Sequence, residues 1–395
     1  MRSMKQPARK KSSGKASSKQ TDKPIDAVKN HNKQPMKVVC PIAGVGKRLQ
    51  PFTFTKPKAF LKVAGKIVID HAMEMLKETF PPNTEVLFVV GYKKDMIIKH
   101  ITEKYGDYFN LKFEEQEQRG IIDDVPIFPG LGHAIYIARE CGFFPEDNRT
   151  HGLFVFLSDR LPIDGFKGLH ENFEASNFDG IISVSIVDHP EHYGVVKVDE
   201  NNQITMMVEK PKEFISNISI SGIYEFNVKA TNEILDYLQE MVKEPIPDDK
   251  EYQFTPALQN LVEKNFRITT YQMKNEIIDI GRPDSFIAGN KFFLEKAKLN
   301  TEFHQIENAH IIQPTYIGKN VTVKNSIVGP FVSVGDNVEI NSSIIQNSAI
   351  GDNSSLLRVI TEQSIIGDGC HLEDIIKSHI TVGDRSVIAS GRNSD

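Results

Sequence analysis

The sequence predicts an α/β protein in two parts: a Rossmann-like mixed sheet covered by helices over residues 37–295, then a parallel β-helix of hexapeptide repeats over 307–390. Three observations carry this. Strand-like apolar runs alternate with helix-like segments from residue 37 onward, as in a sheet with helices packed on its faces. A loop with two glycines and a cluster of cations follows the first apolar run. Beyond residue 307, aliphatic residues recur every six positions, which is the mark of a solenoid.

Residues 1–36 come first and belong to neither part. They carry ten Lys and Arg against Asp22 and Asp26, a net of +8, which leaves −13 for the remainder of a chain whose total is −5. With almost no apolar residues, this basic tail cannot offset the entropy of ordering and is expected to be disordered. It lacks the apolar centre of a secretory signal. The acidic body excludes a nucleic-acid-binding core, which needs a positive face for phosphates. No stretch approaches the roughly 20 apolar residues that span a bilayer, so no membrane insertion is expected. Cys40, Cys141 and Cys370 are odd in number and widely spaced, without a Cys-x-x-Cys pair. That argues against zinc and disulfides and fits a cytoplasmic location.

In the first part, Val38-Val39-Cys40, Val86 to Val90 and Leu153 to Leu157 read as buried strands, with the last two expected to be parallel. Val68 to Lys77 and His133 to Glu140 read as covering helices. Ligands of such sheets lie beyond the carboxyl ends of the strands, where the loop at 43–49 and Asp159 should both fall. The loop, Ala43-Gly44-Val45-Gly46-Lys47-Arg48, is followed closely by Lys56 and Lys58. Glycines let backbone amides approach a ligand, and four cations favour a polyphosphate. A P-loop needs four residues between its glycines and a hydroxyl residue after the lysine, and a dinucleotide fingerprint needs a third glycine where Leu49 stands. Both identities fail.

In the second part, three rows are read as stacking inward: Ile311, Val328, Ile344, Ile360, Ile376; Ile317, Val334, Ile350, Ile366, Val382; and Val323, Ile340, Leu356, Leu372, Ile388. Gly318, Gly335, Gly351, Gly367 and Gly383 follow the middle row and are expected to permit the turns. Exposed edges and flat faces of stacked coils favour symmetric packing, so a homo-oligomer is expected.

The segments Ile42 to Pro51 and Lys56 to Lys66 resemble the signature of the sugar-1-phosphate nucleotidylyltransferases. Ordered matches follow at Gly130-Leu131-Gly132-His133-Ala134, Ser158-Asp159, Tyr193-Gly194-Val195, Glu209-Lys210-Pro211, Thr255-Pro256-Ala257 and Asp279-Ile280-Gly281. The resemblance covers residues 37 to about 295, and a C-terminal left-handed β-helix is a common appendage of that family. It implies transfer of a nucleotidyl group from a nucleoside triphosphate to a sugar 1-phosphate, by in-line attack on the α-phosphorus. Two polyanions must be brought together, which calls for cations, an amide cradle and a divalent metal.

On that resemblance, Arg48 contacts the triphosphate and Lys58 lies near the reacting phosphates, while Ala43, Gly44, Gly46, Lys47 and Gly132 belong to the nucleotide site. Gln116 is the nearest candidate to read the base edge, with Gln118 the alternative, because residues 120–130 look inserted. Asp159 and Asp279 match the two carboxylates that hold the catalytic Mg2+, an ion satisfied by few carboxylates plus substrate phosphates. Gly194, Glu209 and Lys210 match the sugar phosphate site. Lys47 stands where the family has Thr. Pro41-Ile42 and Leu131-Gly132-His133-Ala134 favour UTP or dTTP with glucose 1-phosphate, and GTP with mannose 1-phosphate is the main competitor. Two further readings are acetyl transfer by the β-helix, for which His371 and His379 are available, and a non-catalytic regulatory subunit, which the retained Asp159, Asp279, Arg48 and Lys58 oppose.

Overall fold

A computed structural model describes residues 33–147, 149–247, 250–273, 277–296 and 305–389. The expected disorder of the basic tail falls almost wholly outside these residues. Nine strands form the first sheet: β1 Met36–Pro41, β2 Glu85–Val90, β3 Asn110–Glu115, β4 Gly152–Phe156, β5 Gly180–Ile186, β6 Gly194–Val198, β7 Ile204–Glu209, β8 Ile218–Phe226 and β9 Ile268–Gln272. Their order is β7-β6-β8-β4-β1-β2-β3, with β5 against β8 and β9 against β5. β1 is parallel to both β2 and β4, while β8 runs antiparallel to β4, so the sheet is mixed. The Leu153 run is therefore parallel on one side only.

Apart from Lys37 and Glu85, which pair with each other at 3.0 Å, β1, β2 and β4 are apolar because both faces are covered, and Val38, Val39, Leu87, Phe88, Phe154 and Val155 are fully buried. Helix Val68–Thr79 buries Val68, Ile69, Ala72, Met73 and Leu76, the one-sided spacing of an amphipathic helix. Helix Leu131–Glu140 covers the opposite face with Ala134, Ile135 and Ala138. Among the described residues no helix is long and apolar enough to cross a membrane, and the three cysteines are unpaired.

From Gln305 the chain forms short parallel strands stacked coil on coil, in sheets of nine and five strands. The second row pairs in register from Ile317 to Val334, Ile350, Ile366 and Val382, and all five are buried. The third row stacks from Val323 to Leu372 inside, and Ile388 on the last strand is exposed.

The first row is corrected. Val328 pairs with Ile345, while Ile344 pairs with Ile327 and Ile360, and Ile360 with Ile376. Val328 and Ile345 point inward. Ile344, Ile360 and Ile376 point outward and are 39%, 42% and 79% exposed. The sequence row breaks between Val328 and Ile344 because this coil is one residue longer than the next, and a one-residue slip reverses the face of every side chain.

The role of the row glycines is also corrected. The left-handed corner lies two residues later, at Asn320, Asn337, Asn353, Gly369 and Arg385, and Asn is the side-chain-bearing residue that accepts it most readily. The glycines are instead required by close approach. A Cβ on Gly335 or Gly351 would lie 2.4 Å from Oδ1 of the next coil's Asp352 or Asp368. That oxygen is held there because it accepts from the amide of the preceding coil, Asp336 N to Asp352 at 2.9 Å and Asp352 N to Asp368 at 3.0 Å.

Candidate active site

β1 delivers the chain to a loop above the sheet's carboxyl edge. Two bonds tie that loop to the neighbouring strand end, Ile42 N to Val89 O at 2.8 Å and Tyr92 N to Ala43 O at 3.0 Å. Gly44 is exposed with open space where a Cβ would stand, which leaves its backbone accessible to a ligand. Gly46 has φ +72°, and a Cβ there would lie 3.0 Å from Cβ of Lys58. Two constraints thus select glycine at this position. Buried Thr53 closes the loop by donating to Gly46 O at 3.2 Å.

Ala43, Gly44, Lys58, Gln116, Gly130 and Asp159 line one cavity of about 230 Å³. Gln116 is buried, and its Nε2 donates to Gly130 O at 2.9 Å. A backbone carbonyl accepts only, so this bond fixes the carboxamide and leaves its oxygen as the acceptor. The inserted segment is a hairpin, Gly120–Ile122 with Val125–Ile127, that sets Phe128 in the cavity wall. Gly132 lies off the cavity, with its amide donated to Tyr252 O at 2.7 Å. Lys47 and Arg48 are exposed on the far limb of the loop and carry no ion pair among the described residues.

A second cavity, of about 370 Å³, is lined by Arg160, Ser185, Tyr193, Ser221, Gln272 and Asp279 among others. The segments carrying the two acids meet there. Arg160–Pro162 pairs antiparallel with Ile277–Asp279, Asp279 lies opposite Arg160, and Ile280 N donates to Asp159 O at 2.9 Å. Asp159 therefore faces the first cavity and Asp279 the second. Each faces a cation: Lys58 pairs with Asp159, and Arg160 with Asp279 at 3.2 Å. Burial pushes the Asp159 carboxyl up, but Lys58 and Arg160 outweigh it and hold the group below its ordinary range.

Gly194, Glu209 and Lys210 adjoin the second cavity through Tyr193. Gly194 lies opposite Glu209 in the β6–β7 ladder, where a Cβ would stand 2.9 Å from its Oε2. Thr255 donates to the same oxygen at 2.6 Å, Lys210 Nζ lies 3.8 Å from Oε1, and Lys210 N donates to Tyr193 O. The guanidinium of Arg160 lies 5.6 Å from the Tyr193 ring centre.

The sequence reading assigned no role to Arg160 or Thr255. Thr255 sits in a quoted motif and could have been found; Arg160 carries no local signal beyond its position after Asp159. Lys56, read as one of the loop's cations, turns away and pairs with Asp368 and Asp384 of the β-helix. His371 is engaged with Ser355 at 2.6 Å on the outer face of the β-helix, and His379 occupies a left-handed corner.

Asp159 and Asp279 are hard oxygen donors, the ligand type that magnesium takes. Among the described residues no group of three or more acidic, His or Cys side chains could hold a metal, so an ion here depends on the two carboxylates plus substrate oxygens.

The nucleotidyl transferase family model matches residues 40–296. A low-salt glycan biosynthesis nucleotidyltransferase, Agl11, of Haloferax volcanii is 28% identical over 334 residues, covering 80% of this chain and 87% of that protein. A bifunctional protein GlmU of Methanococcus maripaludis is 29% identical over 257 residues, covering 64% of this chain and 53% of its own length. The crystal structure of a UDP-glucose pyrophosphorylase complexed with UDP-glucose superposes on 66% of this chain and 99% of its own, with a TM-score of 0.51 and 24% identity, a likeness of fold.

Proposed function

The chain belongs to the nucleotidyl transferase family, and from that premise we propose that it joins a nucleoside triphosphate to a sugar 1-phosphate, with UTP or dTTP and glucose 1-phosphate as its pair. The observation that carries the proposal is the meeting of two cavities at one pair of carboxylates, Asp159 on one side and Asp279 on the other. Nucleotide and sugar phosphate each have a compartment, and the reacting phosphates belong at the junction.

An oxygen of the sugar phosphate attacks the α-phosphorus. The new P–O bond forms as the bond to the bridging oxygen breaks, and pyrophosphate leaves with that electron pair. The nucleophile is already anionic near neutral pH, so no side chain need remove a proton. The work left to the protein is alignment and charge neutralisation. Lys58 and Arg160 flank the junction, and Arg48 on the exposed loop limb is assigned to the triphosphate. Glu209, oriented by Thr255, accepts from sugar hydroxyls, and Lys210 meets the sugar phosphate. Asp159 and Asp279 would hold Mg2+, which supplies Lewis acidity toward the phosphoryl oxygens.

The fixed carboxamide of Gln116 supports the choice of base. Its oxygen suits a base edge that offers a ring N–H, as uracil, thymine and guanine do and adenine and cytosine do not. The 2.9 Å bond to Gly130 removes the option of flipping to suit the others. The inserted hairpin and Phe128 then bound the space beside that edge.

Pyrophosphate release tests the reading, with each nucleoside triphosphate offered glucose, mannose, galactose or N-acetylglucosamine 1-phosphate. Turnover is expected with UTP or dTTP and glucose 1-phosphate, and it should depend on Mg2+. Turnover with GTP and mannose 1-phosphate alone overturns the substrate choice and leaves the reaction class standing. No turnover with any pair overturns both.

A further inference from the structure

The β-helix touches residues 56–61, the strap that runs from the nucleotide loop to the cavity junction, at its most consequential point. Lys56, Pro57 and Lys58 are consecutive, and their two lysines face opposite halves of the molecule. Lys58 pairs with Asp159 at the cavity junction. Lys56 pairs with Asp368 and, at 3.2 Å, with Asp384, on the last two rungs of the aspartate row. Pro57 between them is buried with φ −62° and ψ 150°, and Leu61 N closes the following turn onto Lys58 O at 3.1 Å. Pro57 fixes one backbone dihedral between the two lysines and is itself buried, which narrows how far the backbones of Lys56 and Lys58 can move independently.

The anchor on the β-helix side is rigid. Asp384 Oδ1 accepts from the Asp368 amide at 2.8 Å, and Thr55 donates to the same carboxylate. The Lys56 and Asp384 side chains are only 14% and 5% exposed, so their pairing is poorly screened. Gly383 is glycine because a Cβ would lie 2.9 Å from Pro51 of the nucleotide loop, and Lys62 grips Asp352 at 2.6 Å one coil earlier. Ala349 and Ile365 of the β-helix join the same apolar cluster as Phe52 and Leu61. The docking surface is thus continuous with the core under the strap.

We infer that the β-helix is part of the catalytic apparatus, with Asp368 and Asp384 acting as positioning residues that set Lys58 through Lys56. The inference rests on the role given to Lys58 above. It assigns the solenoid a contribution to turnover that needs no activity of its own.

The test compares Lys56→Met, Asp384→Asn and their double variant with Lys62→Met and Lys58→Met, all in the full chain, with thermal melts to confirm folding. Lys56→Met and Asp384→Asn are expected to lower kcat roughly 10- to 100-fold, the scale of an ångström misplacement. Both substrate KM values should stay within about twofold, and the double variant should be no worse than the worse single. Lys56→Arg should restore most of kcat. Lys62→Met, which cuts a docking pair outside the strap, should leave kcat within about twofold. Hydrogen exchange should quicken at residues 58–61 in Asp384→Asn and not in Lys62→Met. Equal losses in Lys56→Met and Lys62→Met, or full kcat in Lys56→Met, overturn the inference while an inactive Lys58→Met keeps the reaction reading intact. Full activity in Lys58→Met removes that reading as well.

Discussion

The two halves of the molecule use aspartate in opposite ways. In the β-helix, Asp336, Asp352, Asp368 and Asp384 each spend Oδ1 on a backbone amide of the preceding coil. Those donors are fixed by the fold and nothing that arrives in solution can replace them. At the cavity junction, Asp159 and Asp279 are met by the side-chain cations Lys58 and Arg160. A side chain can swing away and be replaced by a metal ion or a phosphate's counter-charge. The difference separates these two sets: each β-helix aspartate keeps one oxygen on a backbone amide even where Lys56 or Lys62 also meets the carboxylate, whereas Asp159 and Asp279 face side-chain cations at the cavities.

The largest expected effect separates the two classes directly. Asp279→Asn and Asp159→Asn should each lower turnover by at least about 100-fold with little change in melting temperature, since a preorganised electrostatic group is typically worth that much. Asp336→Ala should do the reverse, keeping kcat and costing about 1 kcal/mol for the lost acceptor. Steady-state pyrophosphate release and a urea melt on the three variants decide it. Undiminished activity in Asp279→Asn would break the comparison at its catalytic end.

The next effect sharpens the solenoid end. Ile366 is buried in the middle row, and Ile360, only six residues earlier, points outward. Ile366→Ala should cost about 2–5 kcal/mol, and Ile360→Ala should stay within about 0.5 kcal/mol. Equal losses on urea denaturation would mean that the outward isoleucines are covered in solution.

A smaller effect concerns the back of the catalytic sheet, where a carboxylate has a cation partner yet sits in the core. Glu225 on β8 is fully buried and bonds His170 at 2.7 Å. Burial pushes its carboxyl up to about 7 against the pull of His170, while burial pushes His170 down and Glu225 more than restores it. The folded chain keeps the Glu225 proton up to about 7, whereas the unfolded carboxyl releases it near 4.5. The folded state thus binds more protons across that interval, and stability falls as pH rises through it. The raised His170 adds to the same trend above its ordinary value. The unfolding free energy from urea melts should drop between pH 5 and 7.5 by on the order of 1–2 kcal/mol in the native chain, and Glu225→Gln should flatten the slope. A native stability that rises over this range would contradict the assignment.

The two halves were also unequally legible in the sequence. A solenoid places each residue beside its own equivalent one coil away, so two rows of five could be read from spacing alone. The first row failed at one seventeen-residue coil, because hydrophobicity cannot tell Ile344 from Ile345 when both are isoleucine and only alternation decides the face. In the catalytic half, glycines, Lys58 and Asp159 were visible because loop and strand-end positions carry composition signals. Arg160, the opposed directions of Lys56 and Lys58, and the support of Glu209 by Thr255 were not. They depend on the pairing of Arg160–Pro162 with Ile277–Asp279, over a hundred residues apart, and on docking of a domain some 300 residues downstream.

The smallest expected effect is at Lys47, the residue that departs from its family's pattern. Gly46 is fixed by its left-handed backbone and the approach of Lys58, so the loop's course does not depend on its neighbour's side chain. Lys47 is exposed and free of ion pairs among the described residues, and an exposed charge acts weakly and through screening salt. Lys47→Thr should therefore raise the KM for the nucleoside triphosphate only a few-fold, by roughly 1 kcal/mol or less, and leave kcat unchanged. The native KM should climb more steeply with added salt than that of the variant, and the two should converge near 1 M, where the Debye length is about 3 Å. A large fall in kcat at unchanged KM would mean that Lys47 reaches the leaving pyrophosphate in the transition state, and that an exchangeable cation extends to the loop's exposed limb.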